Sequence, residues 1–170
     1  QVENWSWLRG EIPGLQAAAA ETTALNLFAY TGGTSLVLSS LGVRVVHVDA
    51  SAPAVNWASE NAVASQLEHA PIQWIVEDAR KYVNRELRRG KRYDLVILDP
   101  PTYGHGPKGQ RWEISRDLWP LLDECMKLLK MEGRAKLLLT AHSEDPHIDQ
   151  VADAMSVYGM SGIEGGELTL

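Results

Sequence analysis

Five short apolar runs, each closed by a polar or turn residue and separated by helix-compatible segments, constrain this chain more than any other feature of its sequence. Residues 23–28, 43–48, 72–76, 93–98 and 135–141 have the length of strands. The second is β-branched and nearly continuous in apolar character, as a strand buried on both faces must be. Helices are predicted between them. One runs over 35–41 and is closed by Gly42; a second is capped by Ser51, opened by Pro53 and continues to about 65. A third follows Asp78, with Ala79, Val83 and Leu87 at i, i+4 and i+8 before Gly90. A fourth, over 115–130, buries Leu118, Leu121, Leu122, Cys125, Leu128 and Leu129. Alternation of this kind predicts an α/β fold: an open, mostly parallel, doubly wound sheet with helices on both faces, because right-handed crossovers place them there.

The flanks are less regular. Trp5, Leu8 and Ile12 share a stripe at i, i+3 and i+7, and Pro13-Gly14 is expected to end that helix. A last helix is expected over 144–158 and a sixth strand over 164–170. The 170 residues fit one domain, 1–170, and the absence of a starting methionine or lead-in suggests a piece of a longer polypeptide, truncated at both ends.

Composition narrows the function classes. No apolar run approaches a membrane span and no signal peptide opens the chain, so a cytoplasmic setting without a membrane partner is expected. The lone Cys125 forbids an internal disulfide and a multi-cysteine zinc site, and no bound metal is expected. The net charge of -6 argues against broad capture of nucleic acid. Yet Arg80, Lys81, Arg85, Arg88, Arg89, Lys91 and Arg92 face only Glu86 within one segment. Such a run is ordinarily a solvated helix face, with a local contact to RNA phosphate as the alternative.

Candidate site residues follow the predicted strands, where open α/β sheets bind ligands. The first strand turns through Gly32-Gly33 into a helix start, which favours a carboxylate or phosphate, although adjacent glycines also serve tight connections. Asp49 follows the second strand, Asp78 the third and Asp99 the fourth. The turn lacks both the G-x-G-x-x-G spacing of dinucleotide sites and a P-loop lysine, so a ligand without phosphates fits better. S-adenosylmethionine is one such ligand.

The series Asn26-Leu-Phe-Ala-Tyr-Thr-Gly-Gly-Thr-Ser, Val48-Asp-Ala-Ser, Glu77-Asp78-Ala79 and Asp99-Pro-Pro-Thr-Tyr-Gly resembles the motifs of class I S-adenosylmethionine-dependent methyltransferases. It is most similar to the large-subunit rRNA base methyltransferase-like group. The resemblance implies that Phe28, Tyr30, Thr31 and Gly32 line the methionine end, that Asp49 and Ala50 hold the ribose, and that Asp78 and Ala79 hold the adenine, with Gly33 and Ser51 as further cofactor-binding residues. Asp78 also suits a helix cap, and Asp49 a strand end. Members of that group carry an N-terminal RNA-binding region and a segment that helps close the cofactor site. Both are expected to be missing or cut short here.

Asp99, Pro100, Pro101 and Tyr103 are the expected catalytic residues, with Asp99 also beside the cofactor. The prolines stiffen the loop, Asp99 and a backbone carbonyl accept the hydrogens of a base amine, and Tyr103 stacks on the ring, so transfer needs mainly positioning. Carbon-5 methylation needs an accessible thiolate. Cys125 falls on an apolar helix face, and Thr140-Ala141-His142-Ser143 stands where the resemblance to cytosine enzymes would place a cysteine. Transfer to a nitrogen of an RNA base, in rRNA, is therefore favoured. His142 is a further candidate base, though a strand-end histidine is more often structural. Two alternatives are a non-catalytic cofactor-binding module and a nicotinamide-dependent oxidoreductase. The glycine-rich segment 104–109 is either a lid or a plain connection.

Overall fold

The computed structural model describes residues 2–106, 109–130, 134–140 and positions 150 and 153. Its centre is a parallel five-stranded sheet of β1 (Thr23–Leu27), β2 (Arg44–Asp49), β3 (Ile72–Val76), β4 (Leu95–Leu98) and β7 (Lys136–Leu139), in the order β3-β2-β1-β4-β7. The helices are α1 (Val2–Ala18), α2 (Gly33–Ser40), α3 (Ala52–Ala64), α4 (Ala79–Arg88) and α5 (Ile114–Met126). A two-stranded antiparallel hairpin, β5 (Tyr103–His105) and β6 (Arg111–Glu113), stands apart from the sheet. The doubly wound expectation is met.

β1 is central, and its buried residues 24–27 are apolar but for Asn26. Ala24, Leu25 and Leu27 are fully buried, and β1 pairs with β2 from Thr23↔Arg44 to Leu27↔Val48 and with β4 from Ala24↔Leu95 to Leu27↔Leu98. Alternate residues feed opposite cores. Leu25, Leu27, Val46, Val48, Val96 and Leu98 pack with α4 and α5, whereas Ala24, Val43, Val45, Leu95 and Ile97 pack with α1 and α2. Each fully buried leucine contributes about 1.5–3 kcal/mol. At the amino ends of the strands, Asp94 accepts from the Thr23 N–H (2.8 Å) and from Lys130 Nζ (2.8 Å), which ties β4 to β1 where no ligand is expected.

Helix boundaries differ most from expectation at two places. α1 does not stop at Pro13 but runs through it to Ala18, burying Leu8, Ile12 and Leu15 together. Burial of that stripe outweighs a proline penalty of about 3 kcal/mol. α5 ends at Met126, before Leu128 and Leu129, which stay buried because Tyr93 N–H donates to the Leu128 carbonyl (2.8 Å) and anchors the turn to β4. The start of segment 104–109 belongs to β5, and Gly106 N–H donates to the Gln110 carbonyl (2.7 Å), while 107–108 lie outside the described residues. The helix expected at 144–158, the strand at 164–170 and His142 lie outside the described residues.

Candidate active site

Strand order reverses between β1 and β4, which opens a crevice at their carboxyl ends. Leu27 pairs with Leu98, so Phe28 and Asp99 leave the sheet side by side. The chain after β1 then takes an unusual path. Phe28 (φ 56°) and Tyr30 (φ 47°) both lie in the left-handed region, a conformation costly for side-chain-bearing residues and typical of over-determined functional turns.

Asp49 fixes this path. Its Oδ2 accepts the Tyr30 N–H (2.8 Å) and its Oδ1 the Ser51 N–H (2.8 Å). Each carboxylate oxygen keeps a second lone pair, so the group is oriented by backbone yet able to accept from a diol. Asn61 Nδ2 holds the Thr31 carbonyl (3.0 Å) from α3, and Ser51 Oγ accepts from Ala54 N–H (3.3 Å) as the cap of that helix. Asp49, Ala50 and Ser51 thus form one rigid strand-to-helix corner.

The two glycines are required by their neighbours. Gly32 caps α2 in the left-handed region (φ 87°), and a Cβ there would lie 2.9 Å from Ala58 Cβ. Its N–H is donated to the Ala29 carbonyl (3.0 Å). A Cβ on Gly33 would stand 3.0 Å from the Trp5 indole, whose Nε1 donates to Thr34 Oγ1 (3.1 Å). No side chain caps α2. The donors that face a ligand are therefore those of the first helical turn, with Trp5 and α3 as its walls.

Beneath the turn lies a buried polar chain that periodicity does not reveal. Asn26 Nδ2 donates to Ser35 Oγ (2.9 Å), and Ser35 Oγ meets His47 Nδ1 (3.0 Å). Burial holds the His47 imidazole neutral, with its pKa lowered to about 4 against a small opposing pull from the Tyr30 backbone. Its ring packs edge-on against Trp74 at 4.8 Å.

Asp78 does cap α4, accepting the Lys81 N–H on Oδ1 (3.0 Å), while its Oδ2 lies 3.2 Å from where a Cβ on Gly106 would be. The hairpin thus lies against the corner at Asp78. Ala79 is buried against the sheet. Asp99 is half-buried, Pro100 buried, Pro101 exposed and Tyr103 72% exposed. Trp112, which sequence inspection passes over, joins these parts. Its Nε1 donates to the Pro101 carbonyl (2.7 Å) and its ring lies 4.9 Å from that of Phe28. The Pro101 carbonyl thus accepts one hydrogen bond that ties the loop to β6. On the other side, Asn4 Nδ2 of α1 donates to Thr140 Oγ1 (2.9 Å) at the end of β7. Cys125 is fully buried and its thiol pKa is pushed far up by desolvation, so it supplies no thiolate.

A parallel sheet with a glycine turn after β1, an anchored carboxylate after β2 and an acid-proline loop after β4 defines a Rossmann-like nucleoside-cofactor enzyme. The S-adenosylmethionine-dependent methyltransferase profile matches residues 8–150, and the chain belongs to that family. Among its relatives, the ribosomal RNA large subunit methyltransferase K/L of Shewanella loihica is 31% identical over 139 residues, 81% of this chain and 19% of that protein. The ribosomal RNA large subunit methyltransferase K of Neisseria meningitidis serogroup B is 30% identical over 117 residues, 68% of this chain and 33% of that protein. The crystal structure of the SAM-dependent methyltransferase from Agrobacterium tumefaciens superimposes with a TM-score of 0.82 at 42% identity, covering 91% of this chain and 48% of that one. The chain therefore spans under half the length of each of these relatives. Family membership makes S-adenosylmethionine the cofactor and displaces the nicotinamide alternative.

Proposed function

We propose that this chain is the catalytic domain of a cytoplasmic methyltransferase acting on a nitrogen of an RNA base, in ribosomal RNA. The observation that carries the proposal is the lateral pairing of Leu27 with Leu98, which sets Asp99 and its proline loop beside the turn after β1. The names of the similar rRNA methyltransferases support RNA as the substrate class. Fully buried Cys125 supports nitrogen over carbon-5, because covalent attack on a pyrimidine ring needs an accessible thiolate.

The residues present fit the cofactor by their donor and acceptor chemistry. First-turn N–H groups of α2 suit its carboxylate, the pinned carboxylate of Asp49 suits the ribose hydroxyls, and Asp78 with Ala79 suits the adenine. When bound, S-adenosylmethionine supplies an electrophilic methyl group on sulfonium. Asp99 and the Pro100 carbonyl accept the hydrogens of the base nitrogen and orient its lone pair. Trp112 holds the loop through the Pro101 carbonyl, and exposed Tyr103 offers a stacking face. Positioning of this kind can supply several kcal/mol of barrier reduction without an acid or base of matched pKa.

Calorimetry with S-adenosylmethionine and radiolabelled methyl transfer to ribosomal RNA test the assignment together. Asp99→Ala is expected to retain cofactor binding while transfer falls at least about a hundredfold, as for loss of a substrate-orienting contact. Unchanged transfer would remove Asp99 from the chemistry. Cofactor binding by the wild-type chain without transfer to any RNA would favour a non-catalytic binding module.

A further inference from the structure

Beside the crevice, α4 and the β5–β6 hairpin flank an open cavity of about 600 Å³ whose walls carry Arg80, Lys81, Arg85, Arg88, Arg111 and Trp112. Lys81, Arg85 and Arg88 stand at i, i+4 and i+7, one stripe of α4, and Arg111 faces them from β6. Two of the five cations are neutralised. Arg85 pairs with Glu77, and Arg80 with Glu124 at 3.6 Å. Asp117, also on the wall, is held by Arg116 (2.6 Å). Among the described residues, Lys81, Arg88 and Arg111 have no carboxylate within ion-pair distance, and Arg85 keeps a buried Nε without an acceptor. Asp78 is the remaining wall carboxylate, engaged through Oδ1 in capping α4. A chain of net charge -6 thus holds a concave site of local positive charge, where low-dielectric walls focus the field.

We propose that this cavity holds the sugar-phosphate backbone of the RNA substrate beside its target base. The proposal rests on the RNA-methyltransferase assignment above and deepens it. Seven helical steps separate Lys81 from Arg88, a rise of about 10 Å, which exceeds the reach of one phosphate and suits successive phosphates of a strand. The cavity also adjoins the proline loop. Its Trp112 wall donates to the Pro101 carbonyl, and its Asp78 corner begins at the expected adenine site. A strand lying along α4 delivers a neighbouring base to the Asp99 loop, with exposed Tyr103 available for stacking. The basic run of the sequence therefore divides by position. Arg80, Lys81, Arg85 and Arg88 line the cavity; Arg89, Lys91 and Arg92 do not.

Fluorescence anisotropy of the 170-residue chain with a labelled 20-nucleotide single-stranded RNA of mixed sequence, over a range of salt, tests this. Lys81→Gln, Arg88→Gln and Arg111→Gln together are expected to weaken binding about tenfold or more and to reduce the salt slope by about 2, near 0.7 for each lost phosphate contact. Lys91→Gln with Arg92→Gln is expected to leave binding within about twofold. Calorimetric affinity for S-adenosylmethionine is expected to stay unchanged in the triple variant. The proposal is overturned if the triple variant binds RNA like wild type, if the Lys91/Arg92 pair matters as much, or if wild type binds no RNA. Displacement of RNA by millimolar inorganic phosphate would assign a small-anion site instead, and equal competition by polyglutamate an acidic-protein surface. Either also overturns it. None of these results touches the cofactor titration, which fails separately if the methyltransferase assignment is wrong.

Discussion

Gly32 shows how closely a single position can be specified. Its φ of 87° disfavours any side chain by about 1–2 kcal/mol, and a Cβ at 2.9 Å from Ala58 Cβ adds steric overlap. Gly32→Ala is expected to destabilise the fold by at least about 2 kcal/mol in urea unfolding and to weaken cofactor binding in parallel. His47 gives a prediction of different kind. Its folded pKa of about 4 lies below the ordinary 6.5, so the unfolded chain binds the proton first. The stability contributed by neutral His47 is complete above pH 6.5 and is lost as pH falls toward 4, up to about 3 kcal/mol across that window. Melting curves of wild type and His47→Gln are expected to converge as pH drops from 7 to 4.5; parallel curves would show that His47 does not titrate this way. At this scale the acids were legible, because Asp49, Asp78 and Asp99 each follow an apolar run in the chain itself. The Asn26, Ser35 and His47 chain was not. Its members meet only when α2 folds back over β1 and β2.

Elements were legible where a period was long and its partner local. α3 and α4 begin at the residues that cap them, Ser51 and Asp78, and β3 spans 72–76 as expected. α1 was misjudged because the proline penalty is local, whereas the burial that outweighs it comes from Val43, Val45 and Leu95, far along the chain. The hairpin was hidden for a related reason. Three-residue strands interrupted by glycine read as a loop, and what orders them is Trp112 reaching Pro101 and Phe28. Trp112→Ala is therefore expected to act as a positioning change. The turnover number for methyl transfer should fall about tenfold or more with S-adenosylmethionine affinity changed far less, and Trp112→Phe should recover the ring contact but not the hydrogen bond. Equal losses in both variants would mark the indole N–H as the important part.

For the molecule as a whole, two cores share one sheet, so neither face can lose its packing without exposing the other through β1. Unfolding is expected to be a single transition, with circular dichroism and tryptophan fluorescence coincident in urea. Leu8→Ala, in a helix remote from α4 and α5, should shift that one transition by about 2–5 kcal/mol, since Leu8 is fully buried. A separate early transition would mean that α1 opens alone. Strand alternation made this architecture readable from sequence, while the choice of which strands become neighbours came from crossover geometry.

The pairing of β1 with β4 also has a temporal side. Ala24 must wait for Leu95, 71 residues later, before the central strand acquires its second neighbour. At roughly 5–20 residues per second on a ribosome, the glycine turn is synthesised several seconds before Asp99 exists to face it. During that interval a mostly apolar strand has one open side, and parallel pairing over such separations is slow. The same register that juxtaposes Phe28 and Asp99 therefore makes the nascent chain vulnerable to aggregation, and biosynthesis of this site depends on what shields residues 23–27 until the fourth strand arrives.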